Sequence, residues 1–432
     1  MQNRKITYQL YESPKQALEL TRQLHSHKDL WNAALEERID AWKKAKKSIS
    51  YEEQCKSLTQ IRSELPEDWA NVNCSSQQIT LKRIDKAFKA FYARCAKGQS
   101  PGFPRFKSIK RMPGFGFKGH GDGWRFFPNV LNEGRPDDFG NIQWAKHGTL
   151  RIQGVGHIKV RGQARAAGIV KSCELMHKSG KWFVSLTLEC ADVDIARPRK
   201  ADYAVAADWG VSRLLTLMRT DGAHCVIRED IDNPRWYQSA KDKSESLARA
   251  ISAKKRYSKN WRDACAKNAK FKAKYARKRH DHQHKLSAKI AAKCAIFATE
   301  SLTIKNMSAS AAGTIDAPGK NVAQKAGLNR EILDTAPAAL FQKLAYKVKE
   351  TGGQFLEAPT RQLKPSQTCP KCGLQLKKLL ANRHHNCTEC GYDNDRDAAS
   401  ALVVLKWALG TLPKLRKEKF KKVSGQGLSE AA

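Results

Sequence analysis

Two Cys-x-x-Cys pairs, Cys369/Cys372 and Cys387/Cys390, stand fourteen residues apart near the end of a 432-residue chain. Four thiolates at this spacing are expected to close a tetrahedral zinc site. Gly373 and Gly391, each directly after a second cysteine, suit two tight knuckles. Four protein ligands leave no open position, so the zinc is expected to be structural. His384 and His385 then face solvent or a phosphate rather than the metal. The other eight cysteines are scattered singly, which fits small buried side chains in a reducing compartment and not a disulfide framework.

A chain this long exceeds one ordinary core, so two or three domains are expected. Lys and Arg total 79 against 42 Asp and Glu, a formal charge of +37. A charge of that size calls for a polyanion, and nucleic acid is the leading candidate. No apolar run is long enough to span a bilayer and no signal peptide opens the chain, so a cytoplasmic protein without a membrane partner is expected.

Residues 4–10 read as a strand. Helical periodicity follows from about Ser13 to Lys47, from Ser50 to Leu65, and over Ser75–Gly98, where Ser75 or Ser76 is the expected cap and Ile79, Ile84, Phe88 and Phe91 the apolar face. From Ile142 to Glu189 the pattern alternates with period two, and "HKSGK" (His177–Lys181) is a hairpin turn. A small β-barrel with helices inserted after its first strand fits this half. From Ala201 the reading is three strands, one long basic helical stretch over 236–295, a strand at "AIFATESLTI", a helix over 329–351, a strand at "GQFLEAPT", and a last helix after the cysteines. That is the element order of an RNase H-like α/β fold. The tail, 411–432, is basic, then small and polar, and is expected to be disordered.

Three carboxylates interrupt this pattern. Asp208 ends the apolar strand "YAVAAD", Glu300 does the same in the fourth strand, and "DNDRD" sets Asp393, Asp395 and Asp397 at the start of the last helix. Singly they read as a turn residue, an ion-pair partner and an N-cap. In an RNase H-like fold they converge. Carboxylates that close repel, and two Mg²⁺ ions about 4 Å apart, clamping the attacking and leaving oxygens of a phosphodiester, are the usual remedy.

Asp208 in "AADWG", Glu300 in "ATESLTIKNM", the run "SQTCPKCG…CTECGYDNDRD", and "QQITLKRIDKAFKAFYARC" with "GFPRFK" resemble the TnpB (OrfB) proteins of insertion sequences, relatives of compact type V CRISPR effectors. The resemblance covers nearly the whole chain. It implies a prokaryotic, nucleoid-associated, RNA-guided DNA endonuclease that binds guide RNA and double-stranded target DNA, with structural zinc and two catalytic Mg²⁺. The implied layout is a wedge-barrel first strand (1–11), a helical recognition insert (12–98), the wedge barrel (99–198), a RuvC-like nuclease (199–365), a zinc-ribbon insert (366–394), the last RuvC helix (395–410) and a basic tail (411–432). The family pattern Asp-Arg-Asp-x-Asn-Ala-Ala assigns the third catalytic role to Asp397, beside Asp208 and Glu300, with Asp395 the runner-up. Here Ala399 stands where that pattern has Asn, and Ser400 follows.

Candidate nucleic-acid contacts follow from charge and aromatic content. Lys241–Lys293 holds eighteen Lys or Arg against four Asp or Glu, and Lys270, Lys272, Lys274 and Arg277 are its expected phosphate contacts. Gly102–Pro128 interleaves seven Phe or Trp with basic residues, among them Arg105 and Lys107, as in surfaces that hold single-stranded RNA. Gln78 and Thr80 could read base edges, since Gln can bond adenine bidentately, and the resemblance implies that this region reads a short duplex motif beside the target. Three rival readings stand beside it: a compact type V CRISPR effector with the same chemistry and another guide source; a guided DNA-binding repressor, whose mark would be a broken carboxylate triad; and, weaker, a transposase that joins DNA itself, for which nothing resembles a strand-transfer Tyr site beyond isolated tyrosines. The number of chains in the assembly is not read from the sequence.

Overall fold

The computed structural model describes residues 2–65, 69, 72–128, 147–162, 168–191, 200–220, 226–314, 316–378 and 382–417. The chain divides into two units, Met1–Ile195 and Ala196–Ala432. Among the described residues no helix is long and apolar enough to cross a membrane.

In the first unit, β1 (Gln2–Tyr11) is followed by three helices, α1 (Pro14–Ala45), α2 (Tyr51–Glu64) and α3 (Cys74–Ala96). The sheet then resumes with β2 (Gly114–Phe117), β3 (Trp124–Pro128), β4 (His147–Ile152), β5 (Gly156–Arg161), β6 (Ile169–Lys178) and β7 (Lys181–Cys190). The strand order is β2-β6-β7-β1-β5-β4-β3, with every pairing antiparallel. β1 therefore sits mid-sheet and the helices are spliced in behind it, as the sequence suggested. Period-two patterning turns Tyr8, Leu10, Phe115, Phe117, Trp124, Phe126, Trp182 and Val184 into one core. This settles most of the aromatics of Gly102–Pro128: Phe115, Phe117, Trp124 and Phe126 are buried, while Phe127, on the outer face of β3, and Phe103 and Phe106, before β2, are exposed. At the β6–β7 turn, Ser179 and Gly180 both take positive φ, 52° and 77°, the backbone that a two-residue hairpin demands.

The helical insert has its own core of Leu30, Trp31, Leu35, Leu58, Leu81, Ile84 and Phe88. Each fully buried side chain of this size contributes about 1.5–3 kcal/mol. Ser13 and Gln16 form a capping box at the start of α1. The cap of α3 is Asn73, which accepts from Ser76 N at 2.9 Å, and not Ser75 or Ser76. Ser76 is drawn inward instead: it donates to Gly116 O at 2.7 Å and lies 3.2 Å from His27 Nε2. His27 is fully buried, and burial, with Arg83 nearby, pulls its pKa down to about 3, so the ring is neutral.

In the second unit, β8 (Tyr203–Trp209), β9 (Arg213–Thr220) and β10 (Val226–Asp232) form an antiparallel meander. The helices α4 (Lys241–Ser252) and α5 (Lys259–Ala291) lead to β11 (Cys294–Glu300). Then come α6 (Val322–Thr335), α7 (Pro337–Glu350), β12 (Gln354–Ala358), the cysteine-bearing loop and α8 (Arg396–Ala408). The sheet order is β10-β9-β8-β11-β12, with β11 parallel to both β8 and β12. Leu286, Ile290, Leu340 and Leu344 of α5 and α7 cover one face. Ala398, Ala401, Val403 and Val404 of α8 cover the other.

Three expectations change here. The basic stretch 236–295 is two helices, because the turn between Ser252 and Lys259 lets Ser258 cap α5 through Trp261 N at 3.1 Å. The helix expected over 329–351 breaks at Ala336 (φ 46°), since Pro337 has no N–H to donate and begins α7 instead. Residues 411–417 are not a free tail, because Arg416–Lys417 pairs in parallel with Leu374–Gln375. The rest of the expected tail, beyond Lys417, and the alternation expected over 142–146 lie outside the described residues.

Candidate functional site

The register of β8 against β11 sets Ala206 opposite Ala298 and Ala207 opposite Thr299. One residue further, Asp208 and Glu300 stand side by side at the C-terminal ends of two parallel strands. Successive side chains alternate between faces. Ala204, Ala206 and Ala298 pack under α8, so Asp208 and Glu300, in phase with them, face α8 as well. Ala398, Ala399 and Ala401 line the helix there and let it approach the sheet closely.

Ser400 of α8 closes the gap. Its hydroxyl donates to Asp208 Oδ1 at 3.0 Å and lies 3.4 Å from Glu300 Oε1. Burial above all, then the charges of Glu300 and Asp397, hold the Asp208 carboxyl well above the usual carboxylate range, against the Ser400 bond and Arg396. Burial also raises Glu300, against the same Ser400 bond. Two half-buried carboxylates facing one another, with no cation paired to either among the described residues, are costly. A hard divalent cation with oxygen ligands suits such a set, so the residues present fit the metal that the sequence led us to expect. Asp397, in the first turn of α8, stands outside the Ser400-bridged pair, but its charge reaches Asp208.

Asp395 has other work. It is the N-cap of α8, accepting from Asp397 N at 3.0 Å and Ala398 N at 3.2 Å. It also lies 3.6 Å from Arg213 Nη1 and 3.5 Å from Arg228 Nη2. A carboxylate committed to a helix cap and two guanidiniums is a poor ligand. Asp397 is left as the candidate third carboxylate. Sequence reasoning missed Ser400, Arg213 and Arg228. Only the last two left any signal, as arginines on strands flanking an acidic motif.

Among the described residues, the four cysteines are the one group of three or more His, Cys, Asp or Glu side chains whose possible ligand atoms all lie within 4.8 Å of one another. Cys369 Sγ is 3.6 Å from Cys390 Sγ, and Cys372 Sγ is 3.6 Å from Cys387 Sγ. A tetrahedron with Zn–S bonds of about 2.3 Å has edges of roughly 3.8 Å, so the thiols already stand where zinc would hold them. Gly373 (φ 76°) is required, because a Cβ there would sit 2.5 Å from Lys414 O. His384 is exposed as expected, whereas His385 is fully buried beside Tyr392 and outside the thiol set. The hairpin His384–Asn386/Asp393–Asp395 then runs straight into α8, pairing His384 with Asp395. The thiol cluster is thus joined by backbone to the cap of the helix that carries Asp397 and Ser400.

The expected nucleic-acid contacts divide. Lys270, Lys272, Lys274 and Arg277 are exposed on α5, and Arg105 is exposed in the first unit. Thr80 is corrected: it is fully buried and its hydroxyl lies 2.9 Å from His27 Nδ1, so it cannot read a base. Gln78 is half-buried and accepts from Lys118 Nζ at 2.6 Å. Lys107 is not a free surface cation. Its amine lies 3.2 Å from the Trp31 ring centre, and burial, then Arg83, lowers its pKa to about 8.

Residues 187–311 match the model of the OrfB family of IS605, described as "Probable transposase". Residues 338–404 match the TNB domain of Cas12f1-like proteins. The first segment holds Asp208 and Glu300, and the second holds the four cysteines, Asp397 and Ser400. Over 400 residues the chain is 28% identical to a protein of Escherichia coli (strain K12) provisionally named RNA-guided DNA endonuclease InsQ, spanning 92% of this chain and 90% of that one. It is 27% identical over 405 residues to a provisionally named RNA-guided DNA endonuclease of Streptomyces pristinaespiralis, covering 93% of this chain and 88% of the relative. The structure of the mini-RNA-guided endonuclease CRISPR-Cas_phi3 superposes with a TM-score of 0.51 at 9% identity, over 94% of this chain and 92% of that one, a likeness of fold. The resemblance to TnpB (OrfB) proteins holds.

Proposed function

We propose that this chain is an RNA-guided DNA endonuclease with an RNase H-like (RuvC) nuclease site. The observation that carries the reading is the meeting of Asp208 and Glu300 under Ser400, with Asp397 in the same helix, inside a chain of net charge +37. The names of the two curated relatives support it. In this reading 1–11 and 99–198 form a wedge barrel, 12–98 is a recognition insert, 199–365 with 395–410 is the nuclease, and 366–394 is the zinc ribbon. Asp208, Glu300 and Asp397 are the residues that would hold Mg²⁺. When bound, paired divalent ions supply Lewis-acid stabilisation of the attacking and leaving oxygens. The chain's own part is to hold the carboxylates together before any substrate arrives. Register places Asp208 beside Glu300, Ser400 bridges them, and the Asp395 cap fixes the turn from which Asp397 projects. Target choice falls to guide pairing rather than to protein side chains.

The test is purification with bound RNA, sequencing of that RNA, and incubation with matching DNA and Mg²⁺. Cut linear product is expected, and no cutting of any matched DNA refutes the reading. The OrfB family description favours strand transfer as a second reading. Joined rather than cut ends in the same assay would establish it.

Two predictions arise here. Ser400→Ala removes the donor between two half-buried carboxylates, and a hydrogen bond to a charged group is worth about 1.5–3 kcal/mol. The metal-free protein is expected to melt a few degrees lower, and millimolar Mg²⁺ or Mn²⁺ is expected to shrink the gap by neutralising the same carboxylates. The raised pKa values of Asp208 and Glu300 add a sign. From about pH 4, where the unfolded acids ionise, up to their higher folded values, the native state binds more protons, so metal-free stability falls as pH rises. Melting curves across pH, with and without metal, check both. Equal midpoints for Ser400→Ala and wild type without metal would remove Ser400 from the account.

The second concerns α5. Replacing Lys270, Lys272, Lys274 and Arg277 by Ala removes up to four phosphate contacts. The slope of log affinity for RNA against log salt is then expected to flatten by about 3. Filter binding at several salt concentrations measures it, and an unchanged slope assigns α5 an ordinary solvated face.

A further inference from the structure

A cleft of about 410 Å³ opens between the C-terminal half of α1 and α3, closed at one end by Phe103. Its walls are aromatic: Trp42 from α1, Phe91 and Tyr92 from α3, and Phe103. Phe103 packs edge-on against Phe88 at 5.6 Å and Phe91 at 5.2 Å, which holds its ring fixed. Trp42, Tyr92 and Phe103 nevertheless keep 56%, 56% and 46% of their surface exposed. The volume lies within the range of ligand clefts, roughly 300–1,000 Å³.

The rim is basic. Lys43 and Lys47 line the cleft, Lys47 also meeting Glu53 at 3.3 Å, and the Lys46 amine stands 5.9 Å from the Trp42 ring centre. Arg38 lies 5.1 Å from the centre of the Phe88 ring, its charge met by Asp85 at 3.7 Å. Flat ring walls beneath a cationic rim call for a flat ring that carries negative charge.

We infer that this cleft takes an unpaired nucleobase of the bound RNA, stacked on Trp42 or Tyr92, with its phosphate against the lysines at the end of α1. The inference rests on the proposed RNA-binding function. Folded RNA offers such bases in its loops and bulges. Duplex DNA keeps its bases stacked, and the strand that guide pairing displaces becomes single only after the RNA is already bound. The chain's own C-terminal "LRKEKFKKV" is a poor occupant, because its charge matches the rim. A second copy docked by two-fold symmetry would set the same lysines against one another.

The test uses the full chain and a transcript of the RNA that copurifies with it, with 4-thiouridine incorporated. Trp42→Ala and Tyr92→Ala should each weaken binding about tenfold, the scale of one base–aromatic stack. Trp42→Phe should retain most of the affinity, and photocrosslinks should map to peptides holding Trp42 or Phe103. Because the substituted rings are exposed, the melting midpoint should not change, and a changed midpoint would disqualify a variant in favour of the crosslink map. Wild-type affinity in the Trp42→Ala, Tyr92→Ala double variant, with crosslinks elsewhere, overturns the cleft but leaves the endonuclease reading standing. A dimer that Trp42→Ala dissolves at unchanged RNA affinity also overturns it, as an interface between copies. Failure of the wild-type chain to bind any RNA sinks both.

Discussion

Alanine at Asp208 or at Glu300 is expected to reduce DNA cleavage by about 10³-fold or more while RNA binding and guided DNA binding persist. Losing one fixed group that stabilises transition-state charge costs about 10²–10³-fold, and here the lost group also holds the cation. Binding survives because base pairing and phosphate contacts lie elsewhere. The third carboxylate gives the sharper comparison. Asp397→Ala should match the first two variants with little change in melting midpoint. Asp395→Ala should instead lower the midpoint, since the loss of an N-cap costs about 1 kcal/mol, while Arg213 and Arg228 keep only Asp230 as a carboxylate partner. Asp395→Asn keeps a capping oxygen and should recover much of the stability. Cleavage measured at equal occupancy of guide and target separates these cases. If Asp397→Ala cuts at the wild-type rate and Asp395→Asn is inactive although folded, the ligand role passes to Asp395.

How much of this was legible in the sequence depended on how local the cause was. Zinc geometry acts through four residues at short spacing, so the thiol cluster could be read directly. Asp208 and Glu300 could be read because each places a charge at the end of an apolar run that the fold must bury. Their contact needs the β8–β11 register, for which element order was a sufficient guide. Ser400 could not be read: a serine in an alanine-rich helix has no mark until packing decides which face meets the sheet. Thr80 shows the same limit in reverse. It looked available on an amphipathic helix, but His27, 53 residues earlier, claims it. For the aromatics of Gly102–Pro128, composition hid what parity contains. Phe115 and Phe117, and Trp124 and Phe126, are two apart and share an inward face, whereas Phe103 lies in no strand, eleven residues before β2. Pro337 was a visible break inside a periodic run, and the backbone there follows it.

Removing the zinc site is expected to be nearly as damaging as removing a carboxylate, although no thiol touches the candidate active site. The loop from Cys369 to Cys390 has a small core, essentially Leu374 and the thiols with Tyr392 against them. So little buried area cannot hold a fold without metal, and structural zinc supplies about 10–16 kcal/mol in peptides of this kind. Elemental analysis should find about one zinc per chain. The Cys387→Ser, Cys390→Ser variant should lose it. Backbone pairing carries that loss to the candidate active site: Asn386 pairs with Asp393 and His384 with Asp395, so unfolding the loop releases the strand that ends in the α8 cap. Asp397 and Ser400 then hang on a helix without its N-terminal anchor. Cleavage should fall by about 10²-fold or more, whereas RNA bound at α5 and in the first unit should be retained. The core of α8, with Val403, Val404 and Leu405 buried against the sheet, should keep the second unit folded. Limited proteolysis should therefore nick the loop first. Full zinc content in the double variant would place the metal on other ligands. Zinc loss with undiminished cleavage would show that the loop and the α8 cap are uncoupled, and that the Arg213 and Arg228 pairs to Asp395 suffice to hold Asp397 in place.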